Sequence, residues 1–219
     1  MFNLFNRNKA TINSISIPDF GWIQDKNEEG IKLWMNPEGT RAISINFFDL
    51  KPDLPTIKDI TFLRDFYRNQ ISAHNGGIVQ VDFVDLKGYM AVKTIFKIPQ
   101  KPSGMTYLGS LTIPFETCSY VVKIQAPEID TTGMRDTFIV GKLMQEGVIS
   151  ADDNGLKGWF SDPYDPIFTK GTLMNKSEEE IYDADFPNHP LSEARNLMKQ
   201  IEAGIVFEKE LEKIKRFGR

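Results

Sequence analysis

The side chains able to do chemistry are few and far apart. Only His74 and His189 offer an imidazole, and Cys118 is the single thiol of the 219 residues. His74 falls at the expected end of a helix, where a cation complements the dipole. His189 precedes Pro190 at a helix start; both histidines read as cap or turn residues, with a site role left open for His189. Cys118 lies on the apolar face of an expected strand. A reactive thiolate needs an accessible, electropositive setting, so Cys118 reads as packing. Asp152-Asp153-Asn154-Gly155 starts like a calcium loop but lacks the alternating Asp/Asn repeat and the later glutamate, which leaves a plain turn. Asp162-Pro163-Tyr164-Asp165-Pro166 brings two carboxylates close together, as acid–base work requires, although its two prolines favour a rigid extended corner.

The motifs of common chemistries are missing. There is no Gly-rich phosphate loop ahead of a helix, no Gly-x-Ser-x-Gly elbow and no paired-histidine zinc motif. The expectation is therefore no catalytic residue, no metal and no cofactor. One cysteine allows neither an internal disulfide nor a multi-cysteine metal site, which fits a reducing compartment. A formal charge of −4 argues against general nucleic-acid binding, which needs a basic footprint. No apolar run approaches the ~20 residues of a membrane-spanning helix, and Met1 to Lys9 hold no continuous apolar core of a secretory leader. The reading is a cytoplasmic protein that binds neither nucleic acid nor membrane.

The elements that must position these groups are organised around Tyr89 to Pro127. Met90, Val92, Phe96 and Ile98 alternate there, then Met105, Tyr107, Leu111 and Ile113, then Cys118, Tyr120, Val122 and Ile124: the period of half-buried strands in a β-meander. The opposite face is expected to carry Lys93, Lys97, Thr106, Ser110, Thr112, Ser119, Lys123 and Gln125. Upstream, Ile15 and Ile17 mark a strand that Pro18 ends. A hairpin over residues 31–48 turns at Asn36-Pro37-Glu38-Gly39. Ile60, Leu63, Tyr67 and Ile71 keep helical spacing between Thr56 and His74, and Asn75-Gly76-Gly77 stops that helix before a strand through Val79, Val81 and Phe83. After Pro127 a second helix carries Met134, Phe138 and Met144. The order predicts an α+β fold, a predominantly antiparallel seven-stranded sheet flanked by helices, spanning residues 1–147.

Residues 148–189 form an acidic connector with embedded Trp159, Phe160, Tyr164, Phe168, Tyr182 and Phe186, too many aromatics for a passive linker. They read either as tacks onto the domain or as a partner-contacting patch. Residues 190–219 are expected to be an amphipathic helix with Leu191, Ala194, Met198, Ile201 and Ile205 on one face. After Gly204 the apolar set slips to Phe207, Leu211 and Ile214, which predicts a bend. This arm admits packing on its own domain or a seam for a dimer or partner; its mixed-sign polar side disfavours a membrane surface.

Ile17-Pro18-Asp19-Phe20-Gly21-Trp22, the Asn36-Pro37-Glu38-Gly39 hairpin, the helix with Phe66 and Tyr67 and the meander closing at Ala126-Pro127-Glu128 follow an order that resembles the PsbP-like superfamily. The resemblance implies an antiparallel sheet flanked by helices and a non-enzymatic role, since members include photosystem accessory subunits, a Ran-binding import factor, bacterial lipoproteins and Eag-type chaperones. The missing lipoprotein signal sets that branch aside. Asp183 to Ser192 resembles segments of uncharacterised bacterial proteins. The resulting expectation is an accessory protein that binds another protein, as a chaperone, immunity-like factor or assembly subunit. The contact residues would be Lys123, Trp159, Tyr164, His189, Ile201 and Ile205, and a homodimer would form through the C-terminal helix. The alternative is a small-ligand binder or hydrolytic enzyme with a site between sheet and connector, built from His189, Asp162, Asp165 and Tyr164.

Overall fold

The structure, a computed structural model, describes residues 9–153 and 155–218. Residues 1–8, on which the leader expectation rests, and Asn154 of the calcium-like turn lie outside the described residues. Seven strands form one antiparallel sheet: β1 (Ile23–Glu28), β2 (Ile31–Met35), β3 (Ala42–Phe48), β4 (Gly77–Leu86), β5 (Tyr89–Pro99), β6 (Met105–Pro114) and β7 (Ser119–Pro127). Their spatial order is β1-β2-β3-β7-β6-β5-β4, and the helices are α1 (Ile60–Ala73), α2 (Met134–Gln145) and α3 (Pro190–Gly204). The predicted α+β class with its seven-stranded antiparallel sheet is observed.

Local chemistry explains the boundaries. The Asn36 side-chain oxygen accepts from the Thr40 and Arg41 amides at 2.7 Å each, closing the β2–β3 turn. Asp59 caps α1 by accepting from the Phe62 amide at 3.0 Å, and His74 is the C-cap, as its position predicts.

One strand is not the expected one. Ile15–Ser16 stays out of the large sheet and pairs with Val206–Phe207, while the seventh strand is β1, exposed along its whole length. Ile-Gln-Asp-Lys-Asn-Glu has no alternating apolar face to betray it. Charged, solvent-facing sequence is characteristic of an edge strand.

The meander also differs in register. Strand β5 sets Lys97 against Tyr107 and Lys93 against Leu111, whereas Val92 meets Thr112. Its lysines therefore share the face of Tyr107 and Leu111, and Met90, Val92 and Phe96 take the other, which corrects the expected grouping. The cause is double burial: α1 packs from one side, burying Val92 with Leu63, Ile78 and Val81, and the main core lies on the other side with Ala91 and Ile95. Lys93 reaches Glu202 at 2.6 Å and Lys97 reaches Glu178 at 2.7 Å.

Helix α3 lies across β6 and β7. Leu191, Ala194, Met198 and Ile201, with Ile205 just beyond the helix, are all 0% exposed. Gly109 on β6 makes room: a Cβ there would stand 2.8 Å from the Met198 sulfur. The helix expected to run to residue 219 ends at Gly204. The slip in apolar phase is a change of structure rather than a bend, because Val206–Phe207 is a short strand and Lys209–Lys213 a 3-10 turn. Phe207, Leu211 and Ile214 join the main core from these elements.

Candidate functional site

The predicted contact residues separate into three environments. Trp159, Ile201 and Ile205 are at most 3% exposed. Trp159 packs with Ile139, Leu143, Ile149 and Tyr182 beneath α2, and the two isoleucines sit in the main core. Their surface is spent inside this chain, which also occupies the apolar stripe expected to form a dimer seam. Tyr164 is half-buried; its hydroxyl accepts from the Val81 amide at 2.8 Å, and the Arg64 guanidinium lies 3.7 Å over its ring. Lys123 alone of the six is exposed.

The carboxylates of Asp162-Pro163-Tyr164-Asp165-Pro166 are structural. Asp162 is buried and takes a two-pronged bond from Arg68 at 3.0 and 3.1 Å while also accepting from the Tyr164 and Asp165 amides. Such a fork, on a buried carboxylate that also accepts two backbone amides, fixes geometry and ties Asp162 to the corner it closes. Asp162 borders a cleft with Trp159 and Met174, and His189 borders a different one with Arg41 and Glu128. The four residues of the expected enzyme or ligand site therefore do not converge. Cys118 is buried, and burial foremost, with Asp49 adding, pushes its thiol up to about 11. Among the described residues no group of three or more His, Cys, Asp or Glu is placed to hold a metal ion.

His189 caps α3: its Nδ1 accepts from the Leu191 amide at 3.3 Å, which leaves Nε2 to face Glu128 at 3.6 Å. The cleft around it, about 470 Å³, is lined also by Met134 and Phe186. Its two arginines are engaged, Arg41 with Glu193 at 2.6 Å and Arg135 with Asp183 at 3.1 Å. Burial would raise the Glu128 carboxyl, but the His189 ring and the Gly133 and Met105 amides outweigh it and hold the group below the usual carboxylate range. A depressed folded value means that this stabilisation is full above the ordinary carboxylate range and is lost as pH falls through the depressed one. Glu128→Gln is expected to cost about 1–3 kcal/mol at neutral pH and to flatten the fall of stability as the pH drops through and below the ordinary carboxylate range. Urea midpoints at both ends of that range check it; an unchanged slope contradicts it.

The connector is anchored by charges that sequence patterning did not single out. Glu178 is 0% exposed and accepts from Lys97, the Tyr107 hydroxyl and the Asn175 amide. Burial first, and the Glu178 charge next, hold the Tyr107 hydroxyl protonated well above its ordinary value. Arg135 donates to the Ser177 and Glu179 carbonyls and to Asp183, which Arg195 also meets at 2.9 Å. In the sequence Lys97 and Arg135 look like solvated positions on amphipathic elements; only the register turns them inward.

What remains accessible is the sheet face opposite α3. Helix α1 covers its β4–β5 end. Further along, Lys123 and Gln125 are exposed, and Leu33, Leu108, Ser110 and Val121 are half-buried. Ile23, 63% exposed, and Phe48, 39% exposed, stand at its margins. A broad surface of mixed apolar and polar side chains on rigid strands suits contact with another macromolecule better than capture of a small one.

No protein-family model matches the chain, and no curated protein matches it in sequence. Among solved structures it is similar to the Ran-binding protein Mog1p of Saccharomyces cerevisiae, with 12% identity over 89% of this chain and 90% of that one and a TM-score of 0.43. A mutant of protein Mog1 is similar at 13% identity, 90% and 93% coverage and a TM-score of 0.44. Cyanobacterial PsbP (CyanoP) from Synechocystis is similar at 10% identity, covering 62% of this chain and 83% of that one, with a TM-score of 0.36.

Proposed function

We propose that this chain is a cytoplasmic accessory protein that binds another protein across the open sheet face of β2, β3, β7 and β6. The observation that carries this reading is the asymmetry of the sheet: α3 and the residue after it seal one face with five fully buried side chains, while Lys123, Gln125, Leu108 and Val121 stay accessible on the other. The reading covers a chaperone, an immunity-like factor or an assembly subunit. Lys123 keeps its expected contact role, and Leu108 and Val121 join it.

The test is a photocrosslinking side chain placed at Ser110, Lys123 or Gln125 in producing cells, with Thr137 on the exposed side of α2 as the control. The face positions are expected to trap one discrete partner that Thr137 does not, and Val121→Glu is expected to abolish the trapping while the protein stays folded. Equal products from Thr137, or none from any face position, would sink the reading.

A further inference from the structure

On the α3 side of the sheet, away from the proposed docking face, residues 16–22 run over β2 and β3 and leave a cleft of about 300 Å³. Trp22, Trp34 and Phe20 line it, with Ile43 and Ile45 beneath. Its position is built in. Ile15–Ser16 is held by pairing with Val206–Phe207, and Pro18 lies so close to Gly204 that a Cβ there would come within 2.4 Å. Asp19 closes the turn by accepting from the Gly21 amide at 2.8 Å, with Gly21 at φ +69°. The wall carrying Phe20 and Trp22 is therefore set before any ligand arrives.

The polar groups of this cleft are unbalanced. Lys32 pairs with Ile45, and Trp34 with Ile43, so both side chains are on the cleft's face of the sheet. Lys32 is half-buried and makes no ion pair or hydrogen bond among the described residues, and neither indole N–H finds an acceptor there. The carboxylate on the lining, Asp19, is exposed and engaged in its own turn. Aromatic walls select a flat apolar body; unpaired donors select an acceptor, and a cation beside them selects a charged one.

We propose that this cleft binds a small aromatic carboxylate, its ring against Trp22 and Trp34 and its carboxylate on the Lys32 ammonium. The volume admits one ring and a short acidic arm.

The three tryptophans make the test self-controlled, because Trp159 lies buried beneath α2, outside this cleft. The full chain, labelled with nitrogen-15, is titrated with phenylacetate and, separately, with the neutral phenylacetamide, following the indole N–H signals assigned by single Trp→Phe changes. The Trp22 and Trp34 signals are expected to shift saturably with phenylacetate while Trp159 stays still. Lys32→Gln should weaken phenylacetate about ten- to a hundredfold, the range a charge-assisted hydrogen bond supplies, and Lys32→Arg should retain binding. The remaining amide spectrum reports whether each variant is folded. No saturable shift at millimolar phenylacetate, phenylacetamide binding equally well, or wild-type affinity in a folded Lys32→Gln protein would overturn the proposal.

Discussion

A chain ended at Gly147 is expected to be insoluble or to lack a cooperative unfolding transition, even though it retains all seven strands of the large sheet and two of the three helices. The sheet face bearing Ile43, Ile45, Tyr107, Leu111, Tyr120, Val122 and Ile124 would lose its cover, since each of these is at most 2% exposed in the whole chain. Leu191, Met198, Ile201 and Ile205 supply that cover, at about 1.5–3 kcal/mol per buried side chain. Losing them removes on the order of 10 kcal/mol, comparable with the whole stability of a domain, about 5–15 kcal/mol. A milder version grades the effect: Ile201→Ala in the full chain should cost about 2–5 kcal/mol. Size-exclusion chromatography and urea unfolding of the shortened chain decide it. A soluble, cooperatively folding 1–147 fragment would show the sheet to be self-sufficient and the boundary at Gly147 to be a true one.

The expectation of a boundary there rests on strand periodicity, which is local. Tyr107, Leu111, Tyr120 and Val122 declare an apolar face, but not which segment covers it. Strand β5 shows the limit more sharply. Both of its alternations are apolar where helices press from two sides, so period alone assigned Met90, Val92 and Phe96 to the face that in fact receives Lys93 and Lys97. A lysine whose ammonium meets Glu178 at 2.7 Å is indistinguishable, in sequence, from one that meets water, because its partner lies 81 residues away. Strand β1 escaped for the opposite reason: it buries nothing, so no pattern marks it. The caps were legible because their cause is local; Asp59, His74 and His189 each act on backbone within three residues. The candidate docking face was half legible. Lys123 and Gln125 declared themselves polar, but the openness of their face depends on α1 stopping at β4 and β5.

Replacing Glu178 with alanine should be the most damaging single change in the connector. Its carboxylate accepts from Lys97 and the Asn175 amide at 2.7 Å each and from the Tyr107 hydroxyl at 2.9 Å. Lys97 is 1% exposed, so Glu178→Ala leaves an ammonium without water or counter-charge, a loss of about 3–5 kcal/mol. Glu178→Gln should rescue little, because three donors converge on the site and an amide presents one oxygen with an NH₂ that opposes the rest. Lys97→Met should cost less: the carboxylate keeps two neutral donors and can take up a proton, whereas the stranded lysine of the alanine variant keeps no acceptor from Glu178. The order Glu178→Ala, Glu178→Gln, then Lys97→Met, in falling cost, is read from urea midpoints. Trp159 supplies a second readout, because its carbonyl accepts from the Lys176 amide at 3.0 Å, two residues before Glu178. Releasing this anchor should expose the indole and shift its emission to the red before the sheet unfolds. Equal, small costs for all three variants would mean that the connector is held by its aromatic packing and the buried charges add only geometry. The predicted order would mean that the inward turn of Lys97 is what fastens the acidic segment to the sheet and, through the bond from Arg195 to the Glu178 carbonyl at 2.7 Å, to the helix that seals its core.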